Sequence, residues 1–96
     1  MNTYANDKFL TLVNKLTRKY FKYTIKQIKK SAKRGSFGLY VSYFTNTYFD
    51  DPYYSDDIKT MVVELIMERL TALGYTVKGD FDGLYPELTI KWENWS

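Results

Sequence analysis

Residues 7–35 read DKFLTLVNKLTRKYFKYTIKQIKKSAKRG, and this stretch decides the fold. At 100° per residue, apolar side chains line one side of a helix and basic side chains line the other. The pattern predicts one long helix over residues 7–34, with Asn6 or Asp7 as its N-cap and Gly35 ending it in a left-handed conformation. The predicted apolar face consists of Phe9, Leu10, Val13, Leu16, Tyr20, Phe21, Ile25 and Ile28.

The rest of the chain predicts three strands and a second helix. Residues 36–45, 75–78 and 88–92 alternate apolar with polar side chains, which is typical of strands with one buried face. Between the first two strands, Ser55 can cap a helix that Gly74 ends. We expect this second helix to bury Ile58, Met61, Val62, Leu65, Ile66 and Leu73.

The order α-β-α-β-β predicts a single α+β domain over residues 1–96. Because each predicted strand has one apolar side, we expect a three-stranded antiparallel sheet with both helices packed on one face. Placing the last strand in the middle makes every pair of neighbouring strands antiparallel.

The composition removes most catalytic chemistry. The chain has neither Cys nor His, which excludes disulfides and thiolate sites and removes the usual general base near neutral pH. The acidic residues of the predicted hairpin loop at 79–86 lack the spacing of a calcium loop, and no nucleotide-binding or hydrolase motif occurs. We therefore expect a protein that is not an enzyme, with no catalytic residue, metal or cofactor.

No uncharged apolar run approaches the ~20 residues that span a bilayer. The first residues lack the charged and apolar regions of a secretory signal, and the absence of cysteine is compatible with a reducing compartment. We expect a soluble, cytoplasmic protein that does not bind membranes.

Charge is divided unevenly along the chain. Ten of the 14 basic residues precede residue 36, whereas Asp7 is the only one of the 11 acidic residues before residue 50. Residues 1–49 therefore carry a net charge of +9 and residues 50–96 a net charge of −6. Such asymmetry indicates a polyanionic partner, or two surfaces of opposite sign on one domain.

The positive charge follows the first helix. No acidic residue accompanies the cations beyond Asp7, so the usual ion pairs between residues four apart are missing. The acidic half of the same molecule, the acidic half of a second copy, or the phosphate backbone of a nucleic acid would offset the resulting repulsion. The candidate partner-binding residues are Lys15, Arg18, Lys19, Lys22, Lys26, Lys29, Lys30, Lys33 and Arg34.

The predicted loop at 46–54 is a second candidate contact. Its aromatic residues alternate with Asp50 and Asp51, and acids repel phosphate, so the loop suits a basic or amphipathic protein surface better than a nucleic acid. The alternative is that these rings fold back over the core. The candidate residues are Tyr48, Phe49, Tyr53 and Tyr54.

Three segments between residues 25 and 92 carry a family resemblance. Ile28, Ala32 and Gly35 precede a strand, Leu70 is followed by LGYTV from Leu73, and LTIKW begins at Leu88. With these segments the chain resembles small accessory proteins of bacteriophages and prophages of Gram-positive bacteria. The resemblance implies an early gene product that acts in the bacterial host cytoplasm and binds and redirects host or competing machinery. It implies no site residue.

Two functions are compatible with these features. The first is an interaction protein that binds and modulates a host or competing protein complex, as an inhibitor or host-takeover factor. The alternative is a nucleic-acid-binding accessory protein that uses the basic side of the first helix. A homodimer is compatible with either function, because the two halves of the chain carry opposite charge.

Overall fold

The computed structural model of the chain describes residues 3–45, 54–83 and 85–92. Within these ranges the sheet order is β1-β3-β2, and both strand pairs are antiparallel. The predicted α+β fold is confirmed, including the central position of the last strand. The elements are α1 (Thr3–Lys33), β1 (Gly38–Ser42), α2 (Asp56–Ala72), β2 (Thr76–Asp80) and β3 (Glu87–Lys91).

The predicted start of α1 is wrong. The helix begins at Thr3, so Asn6 and Asp7 lie inside it and neither is its N-cap. Asn and Asp are favoured at caps but also occur inside helices. The neighbouring Ala5 is the residue type with the highest helix propensity, which favours a helix that starts earlier. Ser55 does cap α2 as predicted, since its side chain accepts a hydrogen bond from the Ile58 N–H.

Both helices end in the same type of turn. After α1, the Gly35 N–H donates to the Ala32 carbonyl and the Ser36 N–H to the Ser31 carbonyl, and φ of Gly35 is 84°. After α2, the N–H groups of Gly74 and Tyr75 donate in the same pattern to Thr71 and Leu70, and φ of Gly74 is 100°. These bonds define a Schellman motif, in which glycine takes the left-handed conformation. The two motifs bring both helix C-termini to one end of the sheet, where β1 and β2 begin.

The core lies between the helices and one face of the sheet. α1 packs against β1 and α2, and α2 also packs against β2 and β3. Leu39 and Val41 of β1 pair with Ile90 and Leu88 of β3, which places all four on the face toward the helices. The opposite face of the sheet carries exposed side chains, among them Tyr40.

Three predicted core residues are exposed: Leu10 is 52% exposed on α1, Leu73 is 63% exposed at the end of α2, and Met61 is exposed as well. Phe37, on the apolar side of the first predicted strand, is also exposed. For α2 the reason is its position beside both α1 and the sheet, which turns a different stripe inward. The buried residues of α2 are Val62, Val63, Ile66 and Leu70.

Two threonines are fully buried on the apolar face of α1, which the hydrophobic pattern does not predict. The Thr17 hydroxyl donates to the Val13 carbonyl (2.7 Å), and the Thr24 hydroxyl donates to the Tyr20 carbonyl (2.8 Å). A threonine that donates to its own helix leaves no unsatisfied hydrogen and packs as a small apolar residue.

An aromatic cluster, defined as Tyr20, Tyr43, Phe44 and Tyr54, fills the space beyond the far end of β1. The Phe44 ring lies 4.6 Å from the Tyr20 ring and 6.0 Å from the Tyr54 ring, centroid to centroid. Phe44 has φ of 63°, a conformation that costs about 1–3 kcal/mol for a residue other than glycine. Packing of its buried ring holds the backbone in this conformation.

Candidate functional site

The cations predicted for partner binding form a continuous surface on α1. Lys19 is half-buried, with its ammonium 5.7 Å from the centre of the Tyr20 ring, and the other eight are exposed. At about 1.5 Å per residue, the helical part of this surface is roughly 27 Å long. The surface, called the basic face below, consists of Lys15, Arg18, Lys19, Lys22, Lys26, Lys29, Lys30, Lys33 and Arg34.

The basic face has little internal compensation. No Asp or Glu occurs between residues 8 and 49 of the sequence. Within the described part of the chain, Lys22, Lys26 and Lys29 form no ion pair. Since these lysines are three or four residues apart, each neighbouring pair repels by a few tenths of a kcal/mol. An acidic partner would relieve this repulsion.

The predicted aromatic loop is described only at its end. Tyr48, Phe49 and Tyr53 lie outside the described residues. Tyr54 is half-buried, and its ring meets the Phe44 ring at 74°. Edge-to-face packing of this kind stabilises a core, so the contacts of Tyr54 favour a structural role for this one ring.

A row of three aromatic residues crosses the sheet at the helix C-terminal end. Gly38, Lys91 and Thr76 pair side by side across the three strands, which places Phe37, Trp92 and Tyr75 in the next row outward. The Trp92 N–H donates to the Phe37 carbonyl (2.9 Å), and the Trp92 and Tyr75 rings meet edge to face, 6.3 Å apart at 88°.

Two residues of this row, Tyr75 and Trp92, form one wall of a groove of about 560 Å³, and Phe37 lies outside its lining. Ile28 and Ala32 of α1 form a second wall, and Leu73 at the end of α2 forms a third. The volume lies within the range of small-molecule pockets. Among the described residues that line the groove, none carries a carboxylate. The groove, called the aromatic groove below, is lined by Ile28, Lys29, Ala32, Leu73, Gly74, Tyr75, Thr76, Lys91 and Trp92.

Sequence reasoning missed the aromatic groove, although a signal was present. Phe37 and Tyr75 precede strands and Trp92 follows one, so the predicted antiparallel order already brings them to the same end of the sheet. Because Leu73 was predicted to be buried, it was not recognised as the third wall of the groove. An exposed leucine next to a helix-ending glycine marks an apolar surface that the helix itself does not cover.

One buried phenol is held by hydrogen bonding. The Thr24 hydroxyl gives its only hydrogen to the Tyr20 carbonyl, so the Tyr43 hydroxyl is the donor in its 2.7 Å contact with Thr24. Burial raises the pKa of Tyr43 well above its usual range. Tyr43 is fully buried, so it acts within the core.

The acidic hairpin between β2 and β3 has an ordinary turn contact. The Asp82 N–H donates to a side-chain oxygen of Asp80 (3.0 Å), as Asp does in many turns. In the described ranges, no three carboxylates come together in a way that would hold a metal ion.

Among the described residues, no helix combines the length and hydrophobicity that crossing a membrane requires. Comparisons of the chain with protein-family models, curated proteins and solved structures gave no significant match. The resemblance to phage accessory proteins stays a prediction.

Proposed function

We propose that this chain is a non-enzymatic interaction protein that binds an acidic surface of a partner protein complex through the basic face and modulates that complex. The observation that carries the proposal is the run of exposed cations on α1 without carboxylates among them. The resemblance to phage accessory proteins suggests that the partner is a host or competing complex.

Charge complementarity explains why such a surface would persist. Opposite charges on two partners accelerate their encounter and exclude wrong partners, while self-repulsion within the free protein is modest. Exposed lysines also keep their side-chain stems on the helix, so the face stays available without disturbing the core.

The alternative ligand, a nucleic acid, would be repelled by acidic residues outside α1. Glu64 and Glu68 are exposed on α2, which packs directly against α1. Residues 50–96, which include both, carry a net charge of −6 and oppose the close approach of a phosphate backbone along a broad contact. A protein surface of limited acidic area meets less of this repulsion.

Two variants of equal charge test the proposal. Lys22→Glu with Lys26→Glu reverses two cations of the basic face, and Lys8→Glu with Lys78→Glu makes the same change in net charge elsewhere. All four side chains are exposed, so both variants should keep the wild-type unfolding temperature within a few degrees.

Each tagged protein is used to capture partners from bacterial lysate, with and without nuclease, and is titrated with a labelled DNA duplex. We expect a nuclease-resistant protein partner on the wild type and the Lys8/Lys78 variant, and its loss on the Lys22/Lys26 variant. Equal capture by both variants would contradict the proposal. Duplex binding with a log-log salt slope near −4 to −5, the value for about four to six phosphates, combined with capture that nuclease removes, would instead identify nucleic acid as the ligand.

A further inference from the structure

The aromatic groove exposes apolar surface that a small domain usually covers. In its lining, Leu73 is 63% exposed, and Tyr75 and Trp92 are only half-buried. Phe37, next to Trp92 in the aromatic row but outside the lining, is 53% exposed. Contiguous exposed apolar residues mark interaction sites more often than isolated ones do. Aromatic side chains are also enriched among the residues that dominate binding energy.

The rim of the aromatic groove is positive. Lys29 and Lys91 line it, and Lys33 lies one helical turn beyond Lys29. Both helix C-termini point toward this end, and their dipoles oppose an anion with about half a charge each. The Schellman hydrogen bonds already occupy carbonyls of both last turns, and three full positive charges outweigh the dipoles.

The groove is continuous with the basic face, because Lys29 belongs to both. A single ligand segment can therefore contact the basic face with acidic residues and place an apolar side chain between Leu73 and Trp92. We propose that the aromatic groove is the docking site for an acidic segment of the partner protein, anchored by an aromatic or aliphatic side chain. This assignment rests on the proposed function, and it adds the chemistry of the segment that is recognised.

The test uses two groove variants and one matched control. Ala32→Glu places bulk and negative charge in the groove at an exposed helical position, and Leu73→Ser removes the exposed wall. Leu10→Ser is the control, since Leu10 is a leucine of similar exposure on α1 outside the groove. Circular dichroism and thermal unfolding of all three proteins establish that they fold. If Ala32→Glu does not fold, Leu73→Ser alone tests the groove.

The probe is a library of random peptides displayed on phage and selected on the full-length wild-type chain. We expect enriched peptides in which Trp, Phe or Leu lies within a few residues of Asp or Glu. As synthetic peptides, they should bind the wild type and Leu10→Ser equally and bind the groove variants at least about tenfold more weakly. No enrichment, enrichment without acidic residues, or equal binding to the groove variants would overturn the assignment.

Partner capture separates this assignment from the proposed function. Loss of the captured partner on Lys22→Glu/Lys26→Glu, with full capture by Ala32→Glu, would leave the proposed function standing and reject the groove as the docking site. Loss on Ala32→Glu alone, with full capture by Lys22→Glu/Lys26→Glu, would reject the basic face and with it the acidic segment that the assignment requires. Sedimentation tests the remaining outcome. If the wild type is a dimer and Ala32→Glu is a monomer, a second copy of the chain occupies the groove, which would overturn the assignment.

Discussion

Two groups of aromatic side chains occupy opposite ends of the same sheet, and only one of them is covered. The aromatic cluster around Tyr43 lies beyond one end of β1, where α1 passes over it, and Tyr43 itself is 0% exposed. The row of Phe37, Trp92 and Tyr75 lies at the other end, where both helices stop at Schellman glycines. Similar residue types thus have different environments because of where the helices end.

The difference extends to polar atoms. In the aromatic cluster, the Tyr43 hydroxyl is bonded to Thr24 within the core. In the aromatic groove, the charged groups of Lys29 and Lys91 lie at an open rim. The first arrangement stabilises the folded chain, whereas the second leaves apolar area and charge for a ligand. Substitutions should therefore affect stability at one end and binding at the other.

Tyr20→Ala should produce the largest loss of stability. The Tyr20 ring is buried and packs against the Tyr43 and Phe44 rings, with centroids 5.9 and 4.6 Å away. Truncation of a large buried aromatic side chain lowers the free energy of unfolding by about 3–5 kcal/mol, which urea unfolding would measure. The control is Tyr40→Ala on the exposed sheet face, and an equal effect of the two changes would remove the distinction between the covered and uncovered rings.

The sequence predicts the fold well because glycines and alternating strands are strong local signals. Gly35 and Gly74 end their helices as predicted, and one apolar face per strand forces both helices to the same side of the sheet. The start of α1 was missed because Asn6 and Asp7 are good caps and also tolerable helix residues. Thr17 and Thr24 were missed because burial of a threonine depends on a hydrogen bond within its own helix, which hydropathy does not register.

Of the two candidate surfaces, the sequence predicted the basic face and not the aromatic groove. Periodicity alone places the lysines of the basic face on one side of α1, because the spacing is local. The aromatic groove depends on three chain segments that meet only after the sheet forms, and on the exposure of Leu73 at the C-cap of α2. Such a site needs strand register as well as residue type.

Tyr43→Phe should cause a smaller loss of stability that depends on pH. Removing the hydroxyl leaves Thr24 without the donor at 2.7 Å, which lowers the free energy of unfolding by about 1–1.5 kcal/mol near neutral pH. Burial raises the pKa of Tyr43 in the folded chain, whereas the unfolded value is about 10. The hydroxyl therefore stabilises the fold fully below about pH 10, and its contribution falls as the pH rises toward the folded pKa.

The measurement is urea unfolding of the wild type and Tyr43→Phe at several pH values from about 8 to 11. The difference in unfolding free energy between the two proteins should narrow above about pH 10. Both proteins share every other ionisable group, so the contributions of those groups cancel in this difference. A constant or widening difference would show that Tyr43 ionises at least as easily in the folded chain as in the unfolded one.

Phe37→Thr should have the smallest effect on stability and a measurable effect on binding. Phe37 is 53% exposed, and threonine keeps the β propensity of the segment before β1, so the free energy of unfolding should change by at most about 0.5 kcal/mol. Its carbonyl bond to the Trp92 N–H is a backbone contact and survives the substitution. Since Phe37 extends the aromatic row beside the groove, peptides selected on the wild type should bind Phe37→Thr several-fold more weakly, as fluorescence anisotropy would show. A loss of stability as large as that of Tyr20→Ala, with unchanged peptide binding, would mean that the row is part of the core and that both ends of the sheet serve folding alone.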